Sequence, residues 1–217
     1  PTNLRQYPSL TILDHHGTAS LTGWLSLCYL LRFAAGDLIP HSELMFARRE
    51  VAPRMVALET DLDINPPADV ARFCIARLGL HPPIPVVSVA RACGVPVLLL
   101  PPGGPTDVDA CLAYHPPDTW AIFVAPGRGN GRRRFSIAHE LGHFLLHRDL
   151  IAAGMTPGPQ HEREANEFAA ELLMPEEVIC RAGVNQLAEL TGHFLVSPTA
   201  LQVRLERLGI VPRTIVC

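Results

Sequence analysis

Residues 135–147 read FSIAHELGHFLLH, which is a His-Glu-x-x-His motif flanked by apolar residues at helical spacing. On an α-helix, residues four positions apart lie on one face at about 6 Å from each other, so His139 and His143 can direct their imidazoles at a single point. Glu140 is rotated by about 100° from His139 on a helix of about 3.6 residues per turn. The stretch therefore predicts a helix that presents two imidazoles and, beside them, one carboxylate.

This arrangement of side chains predicts a zinc site. Neutral imidazole binds zinc with a Zn–N distance of about 2.0–2.1 Å, and a carboxylate beside the metal can act as general base on a water molecule. The alternative is an amphipathic helix whose histidines are ordinary surface or core groups. His147 lies two turns, about 12 Å, from His139, so we expect a helix-terminal or packing role for it.

A catalytic zinc site usually has three protein ligands and one open position. Residues 162–175 read EREANEFAAELLMP and predict a second helix that ends at Pro175. Glu162 falls on its apolar side, where an unpaired carboxylate is costly to bury. We predict Glu162 as the third ligand, with Glu164 as runner-up, and Asn166 as a residue that orients a ligand from outside the coordination shell. The alternative for Glu162 is a first-turn acid favoured by the helix dipole.

Other charged residues near these helices are expected to be solvated. Glu164, Glu167 and Glu171 fall together on the side opposite the apolar residues. The three arginines at 132–134 lead into the first helix, and we interpret them as a solvated face or, alternatively, as a contact for a protein substrate. The net charge of −3 provides no wide basic footprint for nucleic acid.

The composition favours a cytosolic protein with a substantial core. Hydrophobic residues make up 48% of the chain and charged residues 18%. The six cysteines form no C-x-x-C pair, so we expect reduced thiols, with packing roles for Cys74, Cys93 and Cys111. The apolar run Ala19–Ala35 is shorter than the roughly 20 residues of a membrane-spanning helix, and no signal-peptide pattern precedes it. We expect a buried helix there.

The segment before the motif predicts two helices followed by three strands. The first helix starts near Ala68 and stops at Gly79, and a short second helix is capped by Gly94. The strands are predicted at residues 95–100, 110–114 and 120–124. The last strand directly precedes the His-Glu-x-x-His helix, and we expect it to bind substrate by strand addition.

Two helices are predicted at the C-terminal end, over residues 184–194 and after Ser197-Pro198, a favourable N-cap followed by proline at the first helical position. The pair superficially resembles a DNA-binding helix-turn-helix. Its second helix carries only Arg204 and Arg207 as basic residues, so we favour a packing role.

Two linked stretches, Arg134–His147 and Glu162–Pro175, resemble the ImmA/IrrE family of zinc metallopeptidases, and weaker similarity extends over about residues 68–210. The resemblance implies a thermolysin-like (gluzincin) active site on a small mixed sheet. It also implies a cytoplasmic regulator, bacterial or phage, that cuts a helix-turn-helix repressor and so releases stress-response or mobile-element genes. Many members carry an N-terminal DNA-binding helix-turn-helix. Residues 1–60 show no convincing one, so we expect no direct nucleic-acid binding. The shortness of the apolar run Ala19–Ala35 leads us to expect no membrane partner.

We therefore predict an α+β fold, in which a small mixed three-stranded sheet packs with the helices carrying the His-Glu-x-x-His and third-ligand motifs, and a C-terminal helical pair follows. Residues 1–65 would be a helical N-terminal extension, residues 66–180 the zinc metallopeptidase core, and residues 181–217 a C-terminal helical subdomain.

The predicted function is a zinc endopeptidase in which Glu140 is the catalytic base. The alternatives are a non-proteolytic module that binds a repressor, with zinc as a structural element, and a DNA-binding regulator. The side chain that stabilises the oxyanion has four unranked candidates: Tyr114, His115, His161 and His193.

Overall fold

The computed structural model describes residues 11–12, 66–100, 108–116, 118–182 and 187–210. Within these ranges the chain has an α+β fold with four strands and seven helices. The strands are β1 (Thr11–Ile12), β2 (Val97–Leu99), β3 (Ala110–His115) and β4 (Thr119–Val124). The helices are α1 (Pro67–Leu78), α2 (Val86–Ala92), α3 (Asn130–Ala152), α4 (Pro159–Leu173), α5 (Glu176–Ala182), α6 (Leu187–Phe194) and α7 (Pro198–Arg207).

Some predictions remain untested by this fold. The expected buried helix at Ala19–Ala35, and all of the expected extension over residues 1–65 apart from β1, lie outside the described residues. The division into three parts at residues 65 and 180 stays a prediction. In the part of the chain that the structure describes, none of the helices combines the length and apolar character needed to cross a membrane.

The sheet has the strand order β1-β3-β4-β2. β3 runs antiparallel to both β1 and β4, whereas β2 runs parallel to β4, so the predicted mixed sheet of three strands is confirmed and β1 adds a two-residue fourth strand at one edge. Strand β4 lies between β3 and β2. Over Ile122–Val124 the backbone of β4 pairs with neighbours on both sides, so the prediction that β4 binds substrate by strand addition is wrong for these residues.

Both faces of the sheet are buried. Leu112 and Ile122 are cross-strand partners on the face that packs in the main core with the helices, whereas Cys111 and Phe123 are partners in a second apolar cluster. All four are 1% exposed or less. Successive side chains of a strand point to opposite faces, so a sheet buried on both sides needs nearly continuous apolar strands, as the sequence has here.

The helix ends follow the local signals in the sequence. Helix α1 stops at Gly79, which adopts a left-handed conformation with φ of 59°, and α7 begins after Ser197, whose Oγ accepts the N–H of Ala200 at 3.1 Å. Helix α5 is not among the predicted elements, because the sequence pattern indicates only that α4 ends at Pro175. The Pro175 carbonyl in fact accepts the N–H of Ile179 at 3.1 Å, and proline is compatible with a helix start.

Glu171, expected to be solvated, is buried. It is 1% exposed and accepts hydrogen bonds from the guanidinium of Arg204 in α7 and from Arg72 Nε in α1 at 3.2 Å. The helical wheel of α4 alone does not show that α1 and α7 cover this side. Arg204 is itself 6% exposed and so is not presented to a phosphate, which supports the packing interpretation of the C-terminal helices.

Arg134 is also structural rather than solvated. Helix α3 begins at Asn130, so the three arginines lie in its first turns and not before it. The Nη2 group of Arg134 donates to the carbonyl of Ile84 at 2.8 Å and to that of Phe194 at 3.4 Å, and burial lowers the pKa of its guanidinium. Arg132, in contrast, remains exposed and pairs with Asp109.

Candidate metal centre

Helices α3 and α4 approach closely because Gly142 has no side chain. A Cβ atom at this position would lie 3.0 Å from Cδ1 of Phe168 and 3.2 Å from both Cα and O of Ala165. Two of these neighbours are backbone atoms of α4, which cannot rotate away. Glycine inside the His-Glu-x-x-His motif thus allows the first turns of α4 to lie against the histidine-bearing face of α3.

His139, His143 and Glu162 meet where the two helices touch. The two Nε2 atoms are 3.1 Å apart, and the Glu162 carboxylate places Oε1 3.2 Å from His143 Nε2 and Oε2 3.3 Å from His139 Nε2. The histidine side chains are 5% and 4% exposed, whereas that of Glu162 is 35% exposed. The triangle of potential ligand atoms is therefore held in the core on one side and reachable from solvent on the other.

The hydrogen bond of His139 determines which of its nitrogens faces the triangle as an acceptor. Its Nδ1 atom lies 3.1 Å from Oδ1 of Asn166. A carbonyl oxygen can only accept, so Nδ1 carries the hydrogen, and the Nε2 lone pair is directed at the triangle. Asn166 thus occupies the position expected of a residue that orients a metal ligand.

His143 is held by a longer hydrogen-bonded series. Its Nδ1 lies 3.1 Å from Nδ1 of His147, His147 Nε2 lies 2.9 Å from Oε2 of Glu164, and Gln160 donates to Oε1 of Glu164 at 2.9 Å. Glu164, the runner-up ligand, thus contacts His147 and not the triangle, and His147 does more than pack. Burial lowers the pKa of His147, and the bond from Gln160 lowers the pKa of Glu164, so the imidazole is neutral and the carboxylate ionised at neutral pH.

Glu140, the predicted catalytic base, lies on the same helix between the two histidines and is 3% exposed. Among the oxyanion candidates, His161 accepts the N–H of Gly158 at 2.9 Å, and its ring centroid is 4.8 Å from that of His147. The Tyr114 ring packs on Trp120, whose ring in turn contacts an aromatic side chain of α3. His193 is exposed on α6.

The three side chains are close enough to share one metal ion. The two Nε2 atoms are 3.1 Å apart, and each has a different oxygen of the Glu162 carboxylate 3.2 or 3.3 Å away, whereas two ligands at about 2.0–2.1 Å from a tetrahedral ion lie about 3.3 Å apart. Two imidazoles and a carboxylate that converge in this way are typical ligands of a zinc ion. His139, His143 and Glu162 therefore form a group that could hold a metal ion.

Comparison with known families shows the family of the chain. Residues 90–206 match Peptidase_M78, the IrrE N-terminal-like domain. The chain belongs to this family. The matched span runs from α2 into α7 and so includes the sheet strands β2 to β4, both motif helices and the three residues of the triangle. Peptidase_M78 proteins are enzymes of the metallopeptidase type, in agreement with a metal centre at this place, and the predicted family resemblance is confirmed.

Other comparisons add little detail to this family assignment. No curated protein sequence matches the chain. A solved structure described as a Mycobacterium tuberculosis transcriptional regulator is similar, with 23% sequence identity, a TM-score of 0.49, and coverage of 69% of this chain and 48% of that chain. This member of the Peptidase_M78 family thus spans about half the length of that regulator.

Proposed function

We propose that this protein is a zinc-dependent endopeptidase. The observation that carries the proposal is the triangle of His139 Nε2, His143 Nε2 and the Glu162 carboxylate, with sides of 3.1–3.3 Å. Two imidazoles and one carboxylate, with a fourth position open, are the donor set of zinc hydrolases. A harder ion such as magnesium or calcium prefers oxygen ligands throughout, so the two imidazoles favour zinc.

Each residue of the site has a proposed role. The ion would be held by His139, His143 and Glu162. The hydrogen bond to Asn166 would fix the orientation of the His139 ring. Zinc, when bound, would supply Lewis acidity to the scissile carbonyl and lower the pKa of water. The carboxylate of Glu140 would accept a proton from the attacking water molecule and then pass that proton to the amine nitrogen that leaves.

The proposed substrate is a protein, namely a helix-turn-helix transcriptional repressor. The proposal is supported by the family, which is linked to the cleavage of transcriptional repressors. We place the reaction in the cytoplasm because the described cysteines Cys74, Cys93, Cys111 and Cys180 are free thiols, as expected in a reducing compartment. A substrate strand would have to approach elsewhere than Ile122–Val124 of β4, which pair with strands on both sides.

The proposal is tested by Glu140→Gln, which keeps the volume of the side chain but removes the base. We expect the purified variant to bind one equivalent of zinc, as wild type does, and to lose cleavage of both labelled casein and a co-expressed helix-turn-helix repressor. Glu167→Gln, at an exposed position of α4, is the matched control and should cleave normally. If Glu140→Gln relieves repression as well as wild type does, the protein acts by binding the repressor and proteolysis is not its function.

A further inference from the structure

We propose that His147 and Glu164 position His143 for metal binding, as a hydrogen-bonded chain that runs from a carboxylate through one histidine to the next. This inference rests on the proposed metal site, and it assigns a role to two residues that are not themselves ligands. The hydrogen-bonded chain has three links and joins two helices. Nδ1 of His143 lies 3.1 Å from Nδ1 of His147, and Nε2 of His147 lies 2.9 Å from Oε2 of Glu164. Nε2 of Gln160 lies 2.9 Å from Oε1 of Glu164.

The direction of the hydrogen bonds follows from the proposed ligand atom. Metal binding through Nε2 of His143 requires the hydrogen of this ring to be on Nδ1, which then donates to Nδ1 of His147. His147 in turn carries its hydrogen on Nε2 and donates it to the carboxylate of Glu164, 2.9 Å away. The chain selects the one tautomer of His143 that can bind a metal through Nε2.

The chain also restrains the orientation of the ring. The side chains of His143 and His147 are 4% and 5% exposed, and Glu164 reaches them from α4, the same helix that supplies Glu162. The two helices are thus joined on both sides of His143, by Glu162 at one ring nitrogen and by the chain at the other. Removal of a group that orients a metal ligand typically costs about 10–100-fold in metal affinity.

The test is zinc affinity, measured on the full chain by competition with a chromophoric chelator. His147→Leu removes both hydrogen bonds and should weaken binding about 10–100-fold. His147→Asn retains an acceptor oxygen near the position of Nδ1 and should lose less than His147→Leu. Likewise, Glu164→Leu should bind zinc more weakly than Glu164→Gln, whose amide oxygen can still accept a hydrogen bond from His147. The matched controls are the exposed positions His81→Leu and Glu167→Leu, which should bind as wild type.

A second readout separates positioning from packing. The absorption spectrum of the Co²⁺-loaded protein reports the geometry of the ion, and we expect it to change in His147→Leu while the thermal midpoint of the metal-free protein changes little. The inference is overturned if the leucine variants bind as tightly as the asparagine and glutamine variants, or if only the midpoint moves. If His147→Leu does not fold, the zinc affinities of Glu164→Gln and Glu164→Leu are compared instead: tighter binding by Glu164→Gln supports the inference, and equal binding overturns it.

Failure of this inference can be told from failure of the metal site. If wild type binds zinc and His143→Ala does not, the proposed metal site is retained. Unchanged zinc affinities in the His147 and Glu164 variants then overturn only the proposed positioning role of the hydrogen-bonded chain. If wild type binds no zinc, both the chain and the proposed peptidase function are overturned.

Discussion

Gly142 of α3 lies so close to Ala165 of α4 that a Cβ atom on the glycine would be 3.2 Å from the Ala165 Cα. Alanine is a better helix former than glycine by about 1 kcal/mol, but overpacking at a close contact costs about 1–3 kcal/mol. We therefore expect Gly142→Ala to lower the free energy of unfolding and, because α4 must shift and carry Glu162 with it, to weaken zinc binding. Urea unfolding and chelator competition measure the two effects.

Gly192→Ala is the matched control for this substitution. Gly192 also lies in a helix, α6, but a Cβ there would meet nothing within 4 Å. Helix propensity should then act alone and leave the protein as stable as wild type or more stable by up to about 1 kcal/mol. Equal effects of the two substitutions would show that the close approach of α3 and α4 does not depend on Gly142.

The distinction between Glu162 and Glu164 provides the second prediction. Glu162→Ala removes one corner of the triangle, and we expect it to weaken zinc binding by more than the roughly 100-fold upper range for a residue outside the coordination shell. Glu164→Ala should weaken zinc binding by only about 10–100-fold, and Glu167→Ala should bind zinc as tightly as wild type. Metal analysis with chelator competition gives the order. A larger loss in Glu164→Ala than in Glu162→Ala would reverse the assignment of the third ligand.

Asn166 provides the third prediction. Asn166→Ala removes the acceptor for His139 Nδ1 and should weaken zinc binding about 10–100-fold. Asn166→Asp replaces the amide oxygen with a carboxylate, a stronger acceptor, and should bind at least as tightly as wild type. Gln202→Ala, at an exposed position of α7, is the control for removal of an amide. An Asn166→Ala variant with unchanged affinity would mean that the bond to Asn166 does not orient His139.

The features that could be predicted from the sequence are those encoded over a few neighbouring residues. His139 and His143 share a face because they are four residues apart on a helix. Gly79 and Ser197 mark helix ends, since left-handed backbone and N-cap geometry depend on the residue itself. Glu162 was placed on the inner side of its helix by the period of the apolar residues alone, and the structure does bring it to the two histidines.

The features that were missed depend on which elements become neighbours. The predicted strand addition at β4 needs a free edge, and pairing between distant strands is not visible in the sequence of one strand. The sequence predicts only a helix-terminal or packing role for His147, since its partner Glu164 lies 17 residues away on another helix. Spacing did contain part of the signal, as His143 with His147 and Gln160 with Glu164 are both pairs at i, i+4. What joins these two pairs is the contact between α3 and α4.

The buried pair of Glu171 and Arg204 provides the fourth prediction. Their side chains are 2% and 7% exposed, and Arg204→Met would leave the carboxylate with Arg72, which is 48% exposed, as its remaining cationic partner. Breaking a buried ion pair by removing one partner costs about 3–5 kcal/mol, so we expect a loss of this order in the free energy of unfolding measured with urea. Arg207→Met, exposed on the same helix, should stay within about 0.5 kcal/mol of wild type.

A double variant separates the cost of an unpaired charge from a loss of packing. Glu171→Met combined with Arg204→Met removes both charges and replaces them with apolar side chains, an exchange that is often close to neutral. Arg72 keeps Asp69 and Glu176 as partners in that variant. The double variant should therefore be more stable than Arg204→Met alone. The contrary outcome is a loss in the free energy of unfolding of the double variant that equals the sum of the losses in Glu171→Met and in Arg204→Met. In that case the pair stabilises the junction of α4 and α7 through packing and not by mutual compensation of charge.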